Sequence, residues 1–364
     1  MQPQVTNLHP SSKNHRIEYD KPTISKGELK TVLECLVEDQ LYTGSIVERF
    51  EKEFRSTFQF KYSLSVNSLF AAYHLSLLAL GVKAGDRVLL SSFAPLQALD
   101  ALFLIGAEPV PLELGKSSFH PSPEDLQKKI KEKEPKAIIL DHTFGCLLNF
   151  KNYDLANIPV IEDYSEALGA DLEEIPVGKQ GTLSICGLAE NHVITTGNGA
   201  MISSNDANLH NFMKNLRFNP TAPRKDRSPR FEYNLIDYQA AMGIEQLSKL
   251  GLIIERKKKI AQVYLQAVMA ASHETYFQKA AADQFNRFPV IISKKYEEIE
   301  RYFNSLQIKT RKTISEPIHK ILELETSEYP NAERLYQRGH CIPIYPNLTR
   351  DNVNRIANSI RGIY

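Results

Sequence analysis

From residue 62 to residue 202 the chain alternates short apolar runs with longer stretches of helical periodicity, and this alternation restricts the possible folds most. Segments 62–66, 87–91, 107–112, 137–140 and 158–163 read as strands, bounded by Gly, Pro, Asn and Ser. Segments 69–80, 95–104 and 123–133 between them carry helices, the last opened by Ser122-Pro123. Such an order predicts an α/β fold with a mainly parallel sheet covered by helices. Ligands in these sheets sit beyond the carboxyl ends of the strands. Asp163 stands at one such end, where it serves either a ligand or the N-cap of a short helix over 164–169.

Segment 186–201 lies between two further expected strands, 182–186 and 200–203. Its Thr196-Gly197-Asn198-Gly199 core reads as a tight turn. A turn between two strands presents its one histidine, His192, either to a cleft or to solvent. Residues 1–18 are polar and read as a loose arm. Ser25 and Glu28 have the spacing of a capping box opening a helix, and 46–58 forms a second amphipathic helix. Helical periodicity over 236–250 and 253–268 carries Arg256-Lys257-Lys258-Lys259, expected to face outward as a solvated run. A boundary is placed here, giving a large domain over 19–252 and a smaller α/β domain over 253–364. Strands are expected in the latter at 287–292 and 308–311, with a helix over 295–306 between them and a final helix from Arg350.

Composition limits the partners. The 364 residues are 42% hydrophobic and 24% charged, those of an ordinary globular protein. A formal net charge of +1 gives no electrostatic case for nucleic acid or an acidic membrane surface. Cys35, Cys146, Cys186 and Cys341 are widely scattered, which reads as reduced thiols of a cytoplasmic protein and as neither a disulfide frame nor a metal site. No apolar run reaches the roughly 20 residues of a membrane span.

Taken in order, Asp163, Glu166-Ala167-Leu168-Gly169, the 192–199 turn and Asn234-Leu235-Ile236-Asp237 resemble the DegT/DnrJ/StrS-type sugar aminotransferases. So do Glu316-Pro317-Ile318-His319 and 342–349. The resemblance covers about residues 20–360. It implies the PLP-transferase fold type I, a homodimer, a pyridoxal phosphate (PLP) or pyridoxamine phosphate (PMP) cofactor, and a nucleotide-linked sugar in surface polysaccharide biosynthesis. By resemblance Asp163 pairs with the cofactor's pyridine nitrogen, and Glu166 stands where an amide is usual. Asn234 reaches a partner subunit's cofactor phosphate.

The chain departs from the family at the residues that do the chemistry. The Schiff-base lysine falls on His192, which forms no stable imine. The phosphate-binding Thr falls on Phe70 and the Ser on Gly187, and the stacking aromatic falls on Pro95. Three readings follow. The foremost is a divergent homologue without standard PLP transamination, which binds a nucleotide sugar or pairs with an active paralogue as a heterodimer. Another is a PLP- or PMP-dependent keto-sugar dehydratase with His192 as catalytic base. In the third, a transaminase recruits another lysine, such as Lys179 or Lys214. The basic loop 217–230 is expected either to touch a nucleotide diphosphate or to be solvated.

Overall fold

The computed structural model describes residues 16–38, 41–172, 175–217, 229–277 and 283–363. Residues 1–15 of the expected arm and 218–228 of the basic loop lie outside the described residues. Packing is already established at Ile17, inside the segment assigned to the arm. This residue is buried and pairs through its backbone with Gln307 and Lys309.

Helix α1 (Lys26–Val37) starts at the expected capping box, with Glu28 Oε2 accepting from the Ser25 N–H at 2.9 Å. Helix α2 (Ser45–Thr57) begins at Gly44, which has no side chain to cap it. Asp237 Oδ1 does so instead, accepting from Gly44 N and Val47 N. The α/β alternation then runs β1 (Tyr62–Val66), α3 (Leu69–Ala79), β2 (Arg87–Ser91), α4 (Leu96–Ile105), β3 (Glu108–Leu112), α5 (Pro123–Lys133), β4 (Ala137–Asp141) and β5 (Val160–Asp163). A short ribbon, β6 (Asp171–Leu172) and β7 (Ile175–Pro176), precedes β8 (Leu183–Gly187) and β9 (Ala200–Ser204). Among the described residues the main sheet has the order β1-β9-β8-β5-β4-β2-β3. Its strands are parallel except β9, which runs against both β1 and β8. No helix forms over 164–169.

Helices α6 (Ala207–Leu216), α7 (Asp237–Ser248) and α8 (Leu250–Ala270) follow, and residue 252 lies in the first turn of α8. The remainder comprises β10 (Phe288–Ile291), α9 (Tyr296–Ser305), β11 (Arg311–Lys312), α10 (Ile318–Ile321), α11 (Pro330–Arg338), β12 (Gly339–Ile342) and α12 (Arg350–Arg361). Its small sheet has the order β10-β12-β11 and is antiparallel. Residues of α8, α9, α11 and α12 share one apolar core with this sheet, and Phe119 and Phe144 enter it from the larger part of the chain. Among the described residues no helix is long and apolar enough to cross a membrane.

The basic run 256–259 does not all face outward. Lys257 is only 5% exposed, because it falls on the apolar stripe Ile253, Ile260, Ala261, Tyr264 of α8. Its ammonium donates to the backbone carbonyl (3.2 Å) and Oδ1 (2.8 Å) of Asn286. Burial pushes its pKa down to about 8, against the opposing pull of Asp20 and Glu166.

Candidate active-site cleft

A cavity of about 440 Å³ opens beyond the carboxyl ends of β2, β4 and β5, where the alternation places a ligand site. Parallel pairing puts Asp141, the last residue of β4, beside Asp163, the last residue of β5. Both line the cavity, with Glu166, His192, Phe70, Pro95 and Arg287. Of the residues singled out from sequence, Asp163, Glu166 and His192 are therefore brought together. Asn234 is not among the lining residues; it precedes α7, and its Nδ2 donates to the Tyr42 hydroxyl at 3.4 Å.

Both oxygens of Asp163 are engaged by the protein. The Tyr73 hydroxyl, reaching from α3, donates to Oδ2. Oδ1 accepts from the backbone N–H of Ser165 at 2.8 Å and from its hydroxyl. Ser165 Oγ accepts in turn from Gly187 N at 2.7 Å, which locks β5 to β8. Burial raises the Asp163 carboxyl despite these donors.

Glu166 is an anchor. Its Oε2 accepts from Phe144 N at 2.6 Å and its Oε1 from Arg287 Nε at 2.5 Å. Burial alone would raise this carboxyl, but the Arg287 guanidinium outweighs it and holds the pKa below its usual value. Arg287 also donates to the Thr313 carbonyl at 3.2 Å, so the pair ties the cleft floor to the C-terminal part of the chain.

His192 lies in the loop between β8 and β9. That loop is closed by Leu188 N to Gly199 O at 2.8 Å and Thr196 N to Leu188 O at 2.9 Å. A β-carbon built on Gly187 would overlap His192 Cε1 and stand 2.7 Å from Nδ1. The imidazole thus occupies the space of a residue-187 side chain, and Gly187 and His192 are two halves of one arrangement. Nδ1 accepts from Ala189 N at 2.9 Å, which leaves the neutral ring's proton on Nε2. In this pose Nε2 donates, and a base acting through Nε2 would require a proton on Nδ1, pointing at the Ala189 N–H. Shelter of the ring pushes its pKa down to about 4, with Glu166 pulling the other way, so the imidazole is neutral at pH 7.

At the other end of the cleft, Ser68 Oγ caps α3 by accepting from Ala71 N at 3.1 Å. Phe70 lines the cavity and packs against His74 and Tyr233, with ring centroids 6.0 and 6.4 Å apart. No lysine is among the lining residues. Lys179 donates instead to the Gln59 carbonyl and lies over the Phe60 ring. Lys214 belongs to α6 and is also absent from the lining. The buried amine of Lys257 shares with His192 a small neighbouring cavity of about 20 Å³. His142, within the expected His-x-x-Gly segment, is a structural residue. Its Nε2 donates to Glu162 at 3.1 Å, and its Nδ1 accepts from Leu148 N at 3.0 Å.

The model of the DegT/DnrJ/EryC1/StrS aminotransferase family matches residues 22–361. The chain belongs to this family. A GDP-perosamine synthase of Escherichia coli O157:H7 is 28% identical over 358 residues, covering 94% of this chain and 97% of that protein. A putative sugar aminotransferase from Streptococcus pneumoniae, solved in its PLP form, has a TM-score of 0.86 at 18% identity. That match covers 95% of this chain and 98% of that chain. An E. coli GDP-4-keto-6-deoxy-D-mannose-3-dehydratase with bound hydrated PLP has a TM-score of 0.84 at 20% identity, covering 95% of this chain and 100% of that chain. The fold is the type I fold of PLP-dependent sugar aminotransferases, as expected.

The residues present do not fit the cofactor that the family implies. No lysine lines the cleft to link it, and the His192 ring covers Gly187 where a phosphate-binding hydroxyl would stand. Asp163, Glu166 and His192 are legible in the sequence, whereas Asp141 is not singled out there, although it ends the apolar strand β4 as Asp163 ends β5. Tyr73 had no local signal, since its partner lies 90 residues away.

Proposed function

We propose that this family member has left PLP transamination and serves nucleotide-sugar metabolism, in surface polysaccharide biosynthesis, by binding a nucleotide-linked sugar in the cleft. The observation that carries this reading is the interlock of His192 with Gly187, which removes the linking amine and the phosphate hydroxyl together. The relatives support the ligand class: one is a GDP-perosamine synthase, and a solved dehydratase of the same fold was captured with GDP-perosamine. His192 offers its Nε2–H to a sugar oxygen, and Asp141, Asp163 and Glu166 shape the acidic floor. The four cysteines are all buried and free, which suits a cytoplasmic protein. The dehydratase reading has histidine at the right position, but the hydrogen bond of Nδ1 with Ala189 N works against a base at Nε2.

Titration of the pure protein with PLP and PMP, followed by cofactor absorbance and circular dichroism, tests this reading. The native protein should give no induced signal. The double variant His192→Lys, Gly187→Ser restores both the amine and the hydroxyl, and should gain an imine band. An induced PMP signal in the native protein, with ammonia released from a nucleotide keto-sugar, would establish the dehydratase instead.

A further inference from the structure

A second cavity, of about 600 Å³, lies between the loop that follows β3 and the loop that follows β4, and it shares no lining residue with the cleft. Two ties fix its walls. Gly115 N donates to the His120 carbonyl at 2.9 Å, and the Tyr153 hydroxyl donates to the Pro121 carbonyl at 2.7 Å. The cavity is therefore formed before any ligand enters, and its size suits a small molecule. His120 lines it and is only 7% exposed. The His120 Nε2 stands 3.0 Å from the Cys146 carbonyl, which can only accept, so Nε2 carries the ring proton. Nδ1 is left as an acceptor without a partner among the described residues. Unlike the two ring nitrogens of His340, which are sealed from solvent, it keeps an open edge. Burial pushes the His120 pKa down to about 4, so the ring is neutral and Nδ1 remains an acceptor at pH 7.

A ligand for this cavity must offer an O–H or N–H to Nδ1. Lys116 is the only lysine or arginine among the lining residues, and Glu124 and Asp283 stand against it, so no surplus of positive charge gathers a phosphate. Asn152 adds a polar group at the rim, and Leu147 and the half-buried Tyr153 add an apolar wall. A pyranose has both parts that this lining calls for, hydroxyl donors and C–H faces that pack on an aromatic ring. We propose that the cavity binds a neutral sugar residue carrying no nucleotide, with a sugar hydroxyl donating to His120 Nδ1. The inference concerns a site separate from the cleft and does not depend on what the cleft holds.

The test is nitrogen NMR of the native protein labelled with 15N-histidine, titrated with methyl α-mannoside, N-acetylglucosamine and maltotriose, with GDP-mannose as the nucleotide control. The His120 signals are assigned by their loss in His120→Gln or, where that variant folds poorly, in His120→Asn. At least one neutral sugar should move the Nδ1 resonance, which starts as that of an unprotonated ring nitrogen, and GDP-mannose should leave it in place. Maltotriose against the two monosaccharides separates a glycan chain from a free sugar. His120→Gln keeps a donor for the Cys146 carbonyl and removes the acceptor, so calorimetry should show the same sugar binding it roughly 5- to 10-fold more weakly. If no neutral sugar shifts the His120 signal, the inference is overturned. Equal affinity for the native protein and a folded His120→Gln variant would overturn it as well, and so would a shift produced by GDP-mannose alone.

Discussion

Asp141 shows how a single residue at a strand end makes stability depend on pH. Burial pushes its pKa up from 3.8 to about 7, with Thr143 opposing, Asp163 and Glu166 reinforcing and Arg287 opposing. The folded protein therefore holds a proton that the unfolded chain has lost over that interval. The resulting stabilisation is complete below about pH 4 and disappears as pH rises through about 7, on the order of 4 kcal/mol at most. Asp141→Asn keeps the shape without the charge. Thermal melts should show the variant to be the more stable protein at pH 8, with the gap closing toward pH 4. His192 contributes in the opposite sense: its folded pKa of about 4 costs stability as pH falls below 6.5. That contribution is common to both proteins and cancels in the comparison. A constant gap across the pH range would show that Asp141 is not protonated in the native state.

At the scale of elements, the end of β2 is pinned to α10 and α11 by a line of three side chains. Ser92 Oγ donates to His319 Nδ1 at 2.5 Å, and His319 Nε2 donates to Glu333 Oε1 at 3.0 Å. The imidazole also stacks on Tyr329, with centroids 4.4 Å apart. The order Ser–His–Glu is that of a hydrolytic relay, but Ser92 and His319 are fully buried and Ser92 lines no described cavity. It is a strut. His319→Ala would take from the buried Ser92 hydroxyl its acceptor and from Glu333 Oε1 a donor, and leave a cavity against Tyr329, at a cost of about 2–4 kcal/mol. Urea unfolding should register this as a lower midpoint, with ligand binding in the cleft retained at temperatures where the variant is folded. An unchanged midpoint would refute the structural role. Such long-range struts are the part of the fold that sequence hides. Strands β1 and β2 and helix α5 were legible to the residue, because local turn and capping chemistry sets their ends. The solvated reading of Lys257 failed because four consecutive cations mask the one that falls on an apolar helical stripe. Asp163 and His192 could be placed from strand ends and a turn. That Tyr73 caps one and Gly187 receives the other depends on contacts made only when distant elements meet.

At the scale of the whole molecule, the described chain leaves an apolar face uncovered. Leu29, Leu33 and Leu36, at helical spacing on α1, are 60%, 57% and 47% exposed, and Val37 beside them is 75% exposed. Leu41 and Tyr42 are exposed as well, and the Tyr42 hydroxyl is the partner of Asn234. Scattered exposed leucines need no explanation, but three at helical spacing on one helix face are the signature of an interface. The opposite side of α1 is firmly held. Glu28 accepts from Lys249 Nζ at 2.9 Å and from Gln246 Nε2 at 2.6 Å, so the stripe cannot turn inward. A second copy of this chain is the simplest partner for it, with Asn234 at the edge of the contact. Sedimentation should therefore show a dimer of the native protein, and Leu33→Glu with Leu36→Glu should weaken it by about tenfold or more. The two substitutions lie on an exposed surface, so circular dichroism should remain that of the folded chain. A native protein that stays strictly monomeric at high concentration would remove the homodimer and any role for Asn234 toward a second copy's cleft. If it then paired in equal amounts with a lysine-bearing paralogue, the same face would be the contact to mutate. Loss of that pairing in the Leu33, Leu36 variant would make this chain the binding subunit of a mixed enzyme.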